Sequence, residues 1–343
     1  MKKPILVIST DWHLQQKNIE DIKNLIIEKC QLANKLEVQS LVCLGDIFES
    51  RVSQREDVLN SFKEILDIIH SFNLKLIIIP GNHDKTNYNS VESFLLPYEN
   101  HPAINLVNEY SVIHISGIDF HLIPFFSDSI WLKYFDTLNI SSNQDVIFTH
   151  IAVIGSVNND GTHVSSSSSI SPKLFESFDK VFSGHYHDQQ KIGKNFYHLP
   201  SIRQNNFGEN SDKGFTVLYD DLSHELVKST FKEFVKVKID IDTISEDELN
   251  GFKRKYKNSN SNIRFEFIGS EDKLKSLKKD DFTSIGIDIK TSSKEIFNDI
   301  QYIETAEIVE HNRDTITLAF KDFCEKENYS YEQGLKYLQK KLK

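Results

Sequence analysis

The stretch LIIIPGNHDKTN, from Leu76 to Asn87, is apolar for four residues, turns at Pro80-Gly81, and then sets an amide, an imidazole and a carboxylate side by side at Asn82, His83 and Asp84. An apolar run with no polar face reads as a strand buried on both sides. Three adjacent polar side chains at its end are poor packing material, so they point to something that they hold. Upstream, PILVIS (4–9) and SLVCLG (40–45) are two more apolar runs. Ile22, Leu25, Ile26, Cys30 and Ala33 form a helical stripe between them, and Val58, Phe62, Ile65, Ile69 and Phe72 form another ahead of the third run. The order β-α-β-α-β with such strands predicts an α/β domain whose sheet is covered by helices. Further strands are expected at 118–123, 145–149, 180–183, 195–199 and 214–219.

Four other segments repeat the pattern of Asn82-His83-Asp84. In VISTDWHL, Asp11 and His13 are two residues apart, a spacing that sends both to one face of an extended chain. Asp46 follows the second strand, with Gly45 allowing a tight turn; His150 follows VIFT; His185 and His187 follow VFSG. Gly, Asn and Asp are also common turn residues, so each segment alone is weak. Five in order, each after an apolar strand, deliver oxygen and imidazole donors to one sheet edge, where open α/β sheets bind ligands. Asp11, His13, Asp46, Asn82, His150, His185 and His187 are too many donors for one tetrahedral ion and suit two divalent metals bridged by a carboxylate. Without a thiolate among them, manganese or iron is favoured over structural zinc.

Composition sets the outer limits. The chain has 343 residues, 39% hydrophobic and 26% charged, as in ordinary globular proteins. No stretch approaches the roughly 18 apolar residues of a membrane span, and the N-terminal apolar run is too short for a signal peptide. Cys30, Cys43 and Cys324 are odd in number and far apart, as expected of reduced thiols in a cytoplasmic protein. The net charge of −10 lies wholly in the first 227 residues, with 18 Lys+Arg against 28 Asp+Glu; the remainder balances at 22 against 22. An acidic balance argues against nucleic acid as a partner, but carboxylates that bind metal lose that repulsion.

STDWH, GDIFES, PGNHD, a later TH and SGHYH resemble the five phosphoesterase motifs of calcineurin-like metallophosphoesterases, and DWHL, GDIFES-R and GHYH resemble the SbcD-type nucleases among them. LPSIRQNNFGE (199–209) is similar to a further stretch of that family. The compact length and brief tail are most similar to the small subunit of T-even-phage recombination endonucleases. The resemblance covers residues 1–230 and implies a β-sandwich flanked by helices. It implies that Asp11, His13, Asp46 and His187 hold one metal, and Asp46, Asn82, His150 and His185 the other, manganese being the expected ion. His83 would face the scissile phosphate as acid, with Asp84 accepting its other ring proton. Gln15 and Glu49 depart from the family pattern at positions that are not ligands. Arg51, Lys85 and Arg203 lie beside motifs, where phosphate contact and a solvated surface role are both open.

Past residue 230, Val235, Val237, Ile239 and Ile241 alternate with polar residues, as do Ile263, Phe265 and Phe267, then Ile285, Ile287 and Ile289. With helix-compatible segments at 245–257 and 270–279, they predict a small α+β domain, and KNSNSN (257–262) a loop. By resemblance, residues 1–230 are a nuclease domain, 231–304 a capping and DNA-binding domain, and 305–343 helices that bind a coiled-coil ATPase subunit, in a homodimer within a heterotetramer. The chain carries no phosphate-loop motif of its own, so ATP dependence would come from that partner. The expected activity is metal-dependent exonuclease and endonuclease cleavage of DNA in break repair and recombination, in the cytoplasm, or the host cytoplasm of a phage. The alternatives are a phosphoesterase acting on nucleotides or phosphoproteins and a non-catalytic DNA-end adaptor. The polar loop 155–171, with His163, reads equally as a substrate-contacting lid and as a plain surface insertion.

Overall fold

The computed structural model describes residues 2–138, 145–158, 162–164 and 170–294. The first sheet is built as the sequence requires. Strands β1 (Pro4–Ser9), β2 (Ser40–Cys43) and β3 (Lys75–Ile78) pair in parallel, connected by helices α1 (Ile19–Lys35) and α2 (Glu56–Ser71). A short strand β4 (Ile104–Leu106) extends this sheet beyond β3. The second sheet contains β5 (Ser111–Ile115), β6 (Ile118–Ile123), β7 (Asp145–Thr149), β8 (Lys180–Ser183), β9 (Gln190–Ile192) and β10 (Phe196–His198), and helix α3 (Asp128–Phe135) lies between β6 and β7 in sequence. Strands β11 (Gly214–Tyr219) and β12 (His224–Lys228) return to the first sheet, whose order is β12-β11-β1-β2-β3-β4. The second sheet runs β5-β6-β7-β8-β10-β9.

The expectation that helices cover the first sheet holds for one face only. Val7, Leu41, Cys43, Leu76 and Ile78 pack with Ile22, Ile26, Phe62 and Ile65 from α1 and α2. The alternate residues Leu6, Ile8, Val42 and Ile77 pack instead with Phe120, Val146, Phe148 and Phe182 of the second sheet. A strand apolar on both faces demands two apolar covers but does not say which kind. Here one cover is helical and the other is a sheet, giving the sandwich that the family resemblance implies. On the outer face of the second sheet, Ile147, Val181 and Phe196 pack with Trp131 of α3 and with Phe175. Cys30 and Cys43 are buried free thiols, and Cys324 lies outside the described residues.

The chain divides into two compact units, one of residues 1–237, 250–265 and 280–288, the other of residues 238–249, 266–279 and the chain from 289 onward. The three alternating stretches form β13 (Phe234–Asp240), β14 (Asn262–Gly269) and β15 (Ile287–Ser293), in the sheet order β13-β14-β15. Helix α4 (Glu246–Tyr256) occupies the first predicted helical segment and α5 (Glu271–Ser276) the second, while α6 (Asp280–Thr283) lies just beyond it. In the first unit, Phe265 packs against Phe252, Tyr256 and Phe282. In the second, Asp242 collects the Ser270 amide and hydroxyl and the Lys294 ammonium. The expected C-terminal helices lie outside the described residues.

Candidate metal centre

The ends of β1, β2, β3, β7 and β8 open into loops that meet, and the loops carry the seven donors singled out in the sequence. Their backbone is locally strained: Asp11 (φ 52°), His13 (φ 49°), Asp46 (φ 54°) and His185 (φ 88°) all occupy left-handed conformations that cost a non-glycine residue of order 1 kcal/mol or more. Backbone hydrogen bonds from Asp11 to Gly45 (3.0 Å) and from His13 to Asp46 (3.1 Å) lock the first two loops together. Gly45 turns at φ 91°, and a Cβ at Gly81 would collide with the Asp46 carboxylate and main chain. Only glycine lets the third loop come this close.

The donors gather in two overlapping groups. Nε2 of His13 and Nε2 of His187 lie 3.0 Å apart, and both face Asp11 Oδ1, at 3.8 and 3.9 Å. Asp46 Oδ2 lies 3.9 Å from His13 Nε2 and 3.3 Å from His150 Nε2. Asn82 Oδ1 then meets His150 Nε2 at 3.1 Å and His185 Nδ1 at 2.8 Å. Asp46 therefore sits between an Asp11–His13–His187 group and an Asn82–His150–His185 group. Burial alone would push the Asp11 carboxyl up, but His13, His150 and His187 pull it down to about 2. Burial opposes a charge on His13 and His150, yet the surrounding carboxylates raise them to about 10 and about 9. His185, half-buried and facing His150, is lowered to about 3 by desolvation and by that neighbour's charge.

The donor set fits a pair of divalent cations. Two imidazole Nε2 atoms aimed at each other across 3.0 Å, with two carboxylates around them, form a concentration of lone pairs that a cation complements. Each of three imidazoles is also held from behind. His150 Nδ1 donates to the Leu44 carbonyl at 2.6 Å and His187 Nδ1 donates to Glu209 Oε1 at 2.8 Å. Glu49 Oε2 lies 2.9 Å from His13 Nδ1, though without the alignment of a hydrogen bond. These partners turn Nε2 of each ring toward the centre. In the sequence Glu49 stands at a position expected not to be a ligand, and Glu209 within a stretch known only by resemblance. Nothing in the local pattern couples either to a histidine 36 or 22 positions away; the only signal is that both are carboxylates in or beside a motif.

The expected pairing of Asp84 with His83 is not what the structure contains. Asp84 is buried beneath the turn and accepts three main-chain amides, Ile47 and Phe48 on Oδ1 (3.0 and 3.1 Å) and Gly81 on Oδ2 (2.8 Å). Burial and the Asp46 charge push its carboxyl up to about 7. His83 instead donates from Nδ1 to the Glu49 carbonyl at 2.5 Å, and its Nε2 faces an Arg51 guanidinium nitrogen at 2.7 Å. Adjacent side chains in a turn leave it on different sides, so sequence neighbours need not touch. A guanidinium only donates, so Nε2 is the acceptor in this arrangement.

Of the three candidate phosphate contacts, only Arg51 reaches this centre. Lys85 is buried, with its ammonium on the Ser90 carbonyl (3.0 Å) and over the Phe126 ring (3.6 Å), and Arg203 lines a different cavity. A cleft of about 350 Å³ covers the centre and is edged by Lys17, Arg51, Asn158 and Asn206. Asn158 stands at the base of the 155–171 loop, where Gln190 clamps Val157 and His163 pairs with Val157 across the loop.

The family Calcineurin-like phosphoesterase matches residues 3–189. The chain belongs to the calcineurin-like phosphoesterases. This phosphoesterase chain is 23% identical over 244 residues to the SbcD subunit of the SbcCD nuclease of Staphylococcus saprophyticus, covering 62% of this chain and 65% of that protein. It therefore spans slightly less than two thirds of that relative. It is 26% identical over 216 residues to "Putative phosphoesterase 244L" of Invertebrate iridescent virus 6, covering 61% of this chain and 73% of that one. A solved dimetal phosphatase from Danio rerio superposes with a TM-score of 0.43 at 11% identity, covering 63% of this chain and 93% of that one. The family works with two metals, and the described residues include a candidate site for them. No helix among the described residues is long and apolar enough to cross a membrane.

Proposed function

We propose that this phosphoesterase is a DNA nuclease that hydrolyses phosphodiester bonds with two divalent ions, manganese foremost. The observation that carries the reading is the position of Asp46, within 4 Å of His13, His83 and His150, as the bridge between two donor groups. The proposed ligands are Asp11, His13, Asp46 and His187 for one ion, and Asp46, Asn82, His150 and His185 for the other. When bound, such a pair activates water at neutral pH and offsets the charge on phosphate oxygens. The protein's own contribution is positioning. Glu209 and the Leu44 carbonyl fix two imidazole rings, and Glu49 stands close behind a third, which limits the reorientation needed at the moment of reaction. His83 stands at the rim, its main-chain amide on Asp46 Oδ1 at 2.8 Å; its ring is the proposed proton donor to the leaving oxygen, a role that requires Nε2, the acceptor from Arg51 here, to take up a proton from solvent once Arg51 has left it. Arg51, on the same Nε2, is a cation that an arriving phosphate group would draw away, leaving Nε2 to the substrate.

Similarity to the SbcCD nuclease favours DNA over a small phosphoester and a coiled-coil ATPase as partner. On that reading residues 231–304 cap the nuclease domain 1–230, and 305–343 dock the ATPase. Removing 306–343 is expected to keep manganese-dependent cleavage and abolish co-purification with the ATPase. The function itself is tested by incubating the protein with manganese and linear duplex or single-stranded DNA beside Asp46→Asn. Cleavage by the parent and its loss in the variant support the reading. An inert parent that still hydrolyses a small phosphodiester would redirect it to small substrates.

A further inference from the structure

Away from the metal centre, a second cavity of about 340 Å³ is framed by α1, the segment 230–232 and the tip of the KNSNSN loop. Arg203 lines it. That residue is only 8% exposed, its Nη1 donates to the Gln204 carbonyl at 3.0 Å, and its Nε is buried with no acceptor in the protein. A buried guanidinium donor without an acceptor is rare, because the desolvation cost is not returned. Around it stand Lys232, the amides of Asn24, Asn260 and Asn262, and the Thr230 hydroxyl. The cavity's one carboxylate is Asp21; Glu28 stands behind Thr230 and accepts both its amide, at 3.0 Å, and its hydroxyl, at 3.5 Å. With Arg203 and Lys232 against Asp21, the lining is cationic by one charge, and its remaining residues are neutral polar groups beside Leu25 and Phe231.

We propose that this cavity is a binding site for a phosphate group, distinct from the metal centre. A guanidinium presents paired donors that match the oxygens of an oxyanion. The asparagine amides supply neutral donors for the remaining phosphate oxygens, and Lys232 stands as a point charge among the lining residues. Neither the KNSNSN loop nor Arg203 has a part in the chemistry of the metal centre, and this site gives both a role. The phosphate group belongs either to a nucleic-acid backbone or to a free phosphate or nucleotide.

The test is hydrogen–deuterium exchange on the full chain, with metals removed by chelator so that no substrate is cut. The probes are inorganic phosphate, a deoxynucleoside monophosphate and a short single-stranded oligonucleotide, each titrated against the parent, Lys232→Glu and Arg203→Lys. Lys232 is exposed, so its variant tests the site without risk to the core. Slower exchange at 229–232 and 258–262 is expected, with the midpoint shifted about tenfold or more in each variant, as loss of a hydrogen bond to a charged group requires. Protection by all three probes identifies a free-phosphate site, and protection by the oligonucleotide alone identifies a backbone site. No protection by any probe, or protection undiminished in either variant, overturns the proposal.

Discussion

Glu209 Oε1 accepts a 2.8 Å hydrogen bond from His187 Nδ1, and Lys213, fully buried, holds the other carboxylate oxygen at 3.0 Å. The ion pair keeps Glu209 ionised: burial alone would push its carboxyl up, but His187 and Lys213 hold it below the usual range. Replacing Glu209 with Ala frees the imidazole to rotate and leaves Lys213 with only Asp188 as a counter-charge. Manganese affinity measured by calorimetry should fall about 10–100-fold, with the DNA affinity of the metal-free protein unchanged.

His83 is held between the Glu49 carbonyl and Arg51. His83→Gln should keep manganese and DNA binding while turnover drops about 10²–10⁴-fold, the usual worth of a general acid. Single-turnover cleavage with saturating enzyme separates this outcome from weakened binding. A variant that cuts at the parent rate would remove His83 from the chemistry.

Asp84 belongs to the scaffold. Its carboxylate ties the amides of Ile47 and Phe48, beside Asp46, to that of Gly81, beside Asn82. Asp84→Ala orphans three buried amides, each costing about 1–3 kcal/mol. Urea denaturation should show a loss of several kcal/mol in stability, and Asp84→Asn, which keeps one acceptor oxygen, should lose less.

His198, which is not among the metal donors, offers a pH signature of its own. It is buried, donates from Nδ1 to the Gly184 carbonyl at 3.0 Å and lies 2.8 Å from the Ser156 hydroxyl through Nε2. Burial lowers its pKa to about 4, below the ordinary value of 6.5. Between these values the unfolded chain binds the proton and the folded one does not. Stability from this residue is therefore present above pH 6.5 and is lost as pH falls toward 4, by about 3 kcal/mol in full. His198→Gln should flatten the slope of unfolding free energy over that range relative to the parent.

The sequence made the strands and the converging donors legible because both are written in local pattern. Five apolar runs end in chemistry-bearing residues, and β6, β7, β8 and β11 fall at their expected positions. What it concealed was pairing at a distance. The edge strands β4, β5, β9 and β12 have short, mixed patterns that alternation does not separate from loops. Glu49 and Glu209 reach histidines only through the fold, and Asp84, adjacent to His83 in sequence, turns away from it into the amides of another loop. The expectation that helices cover β1–β3 failed on one face, since helix and sheet offer the same apolar surface.

The central claim is that Asp46 bridges two ions held by the other six donors. Anomalous diffraction from crystals soaked in manganese addresses it directly. Two peaks about 3.5–4 Å apart, one beside Asp11, His13 and His187 and the other beside Asn82, His150 and His185, are predicted, with both diminished in Asp46→Asn. Manganese bound elsewhere, or bound equally well in that variant, would contradict the account.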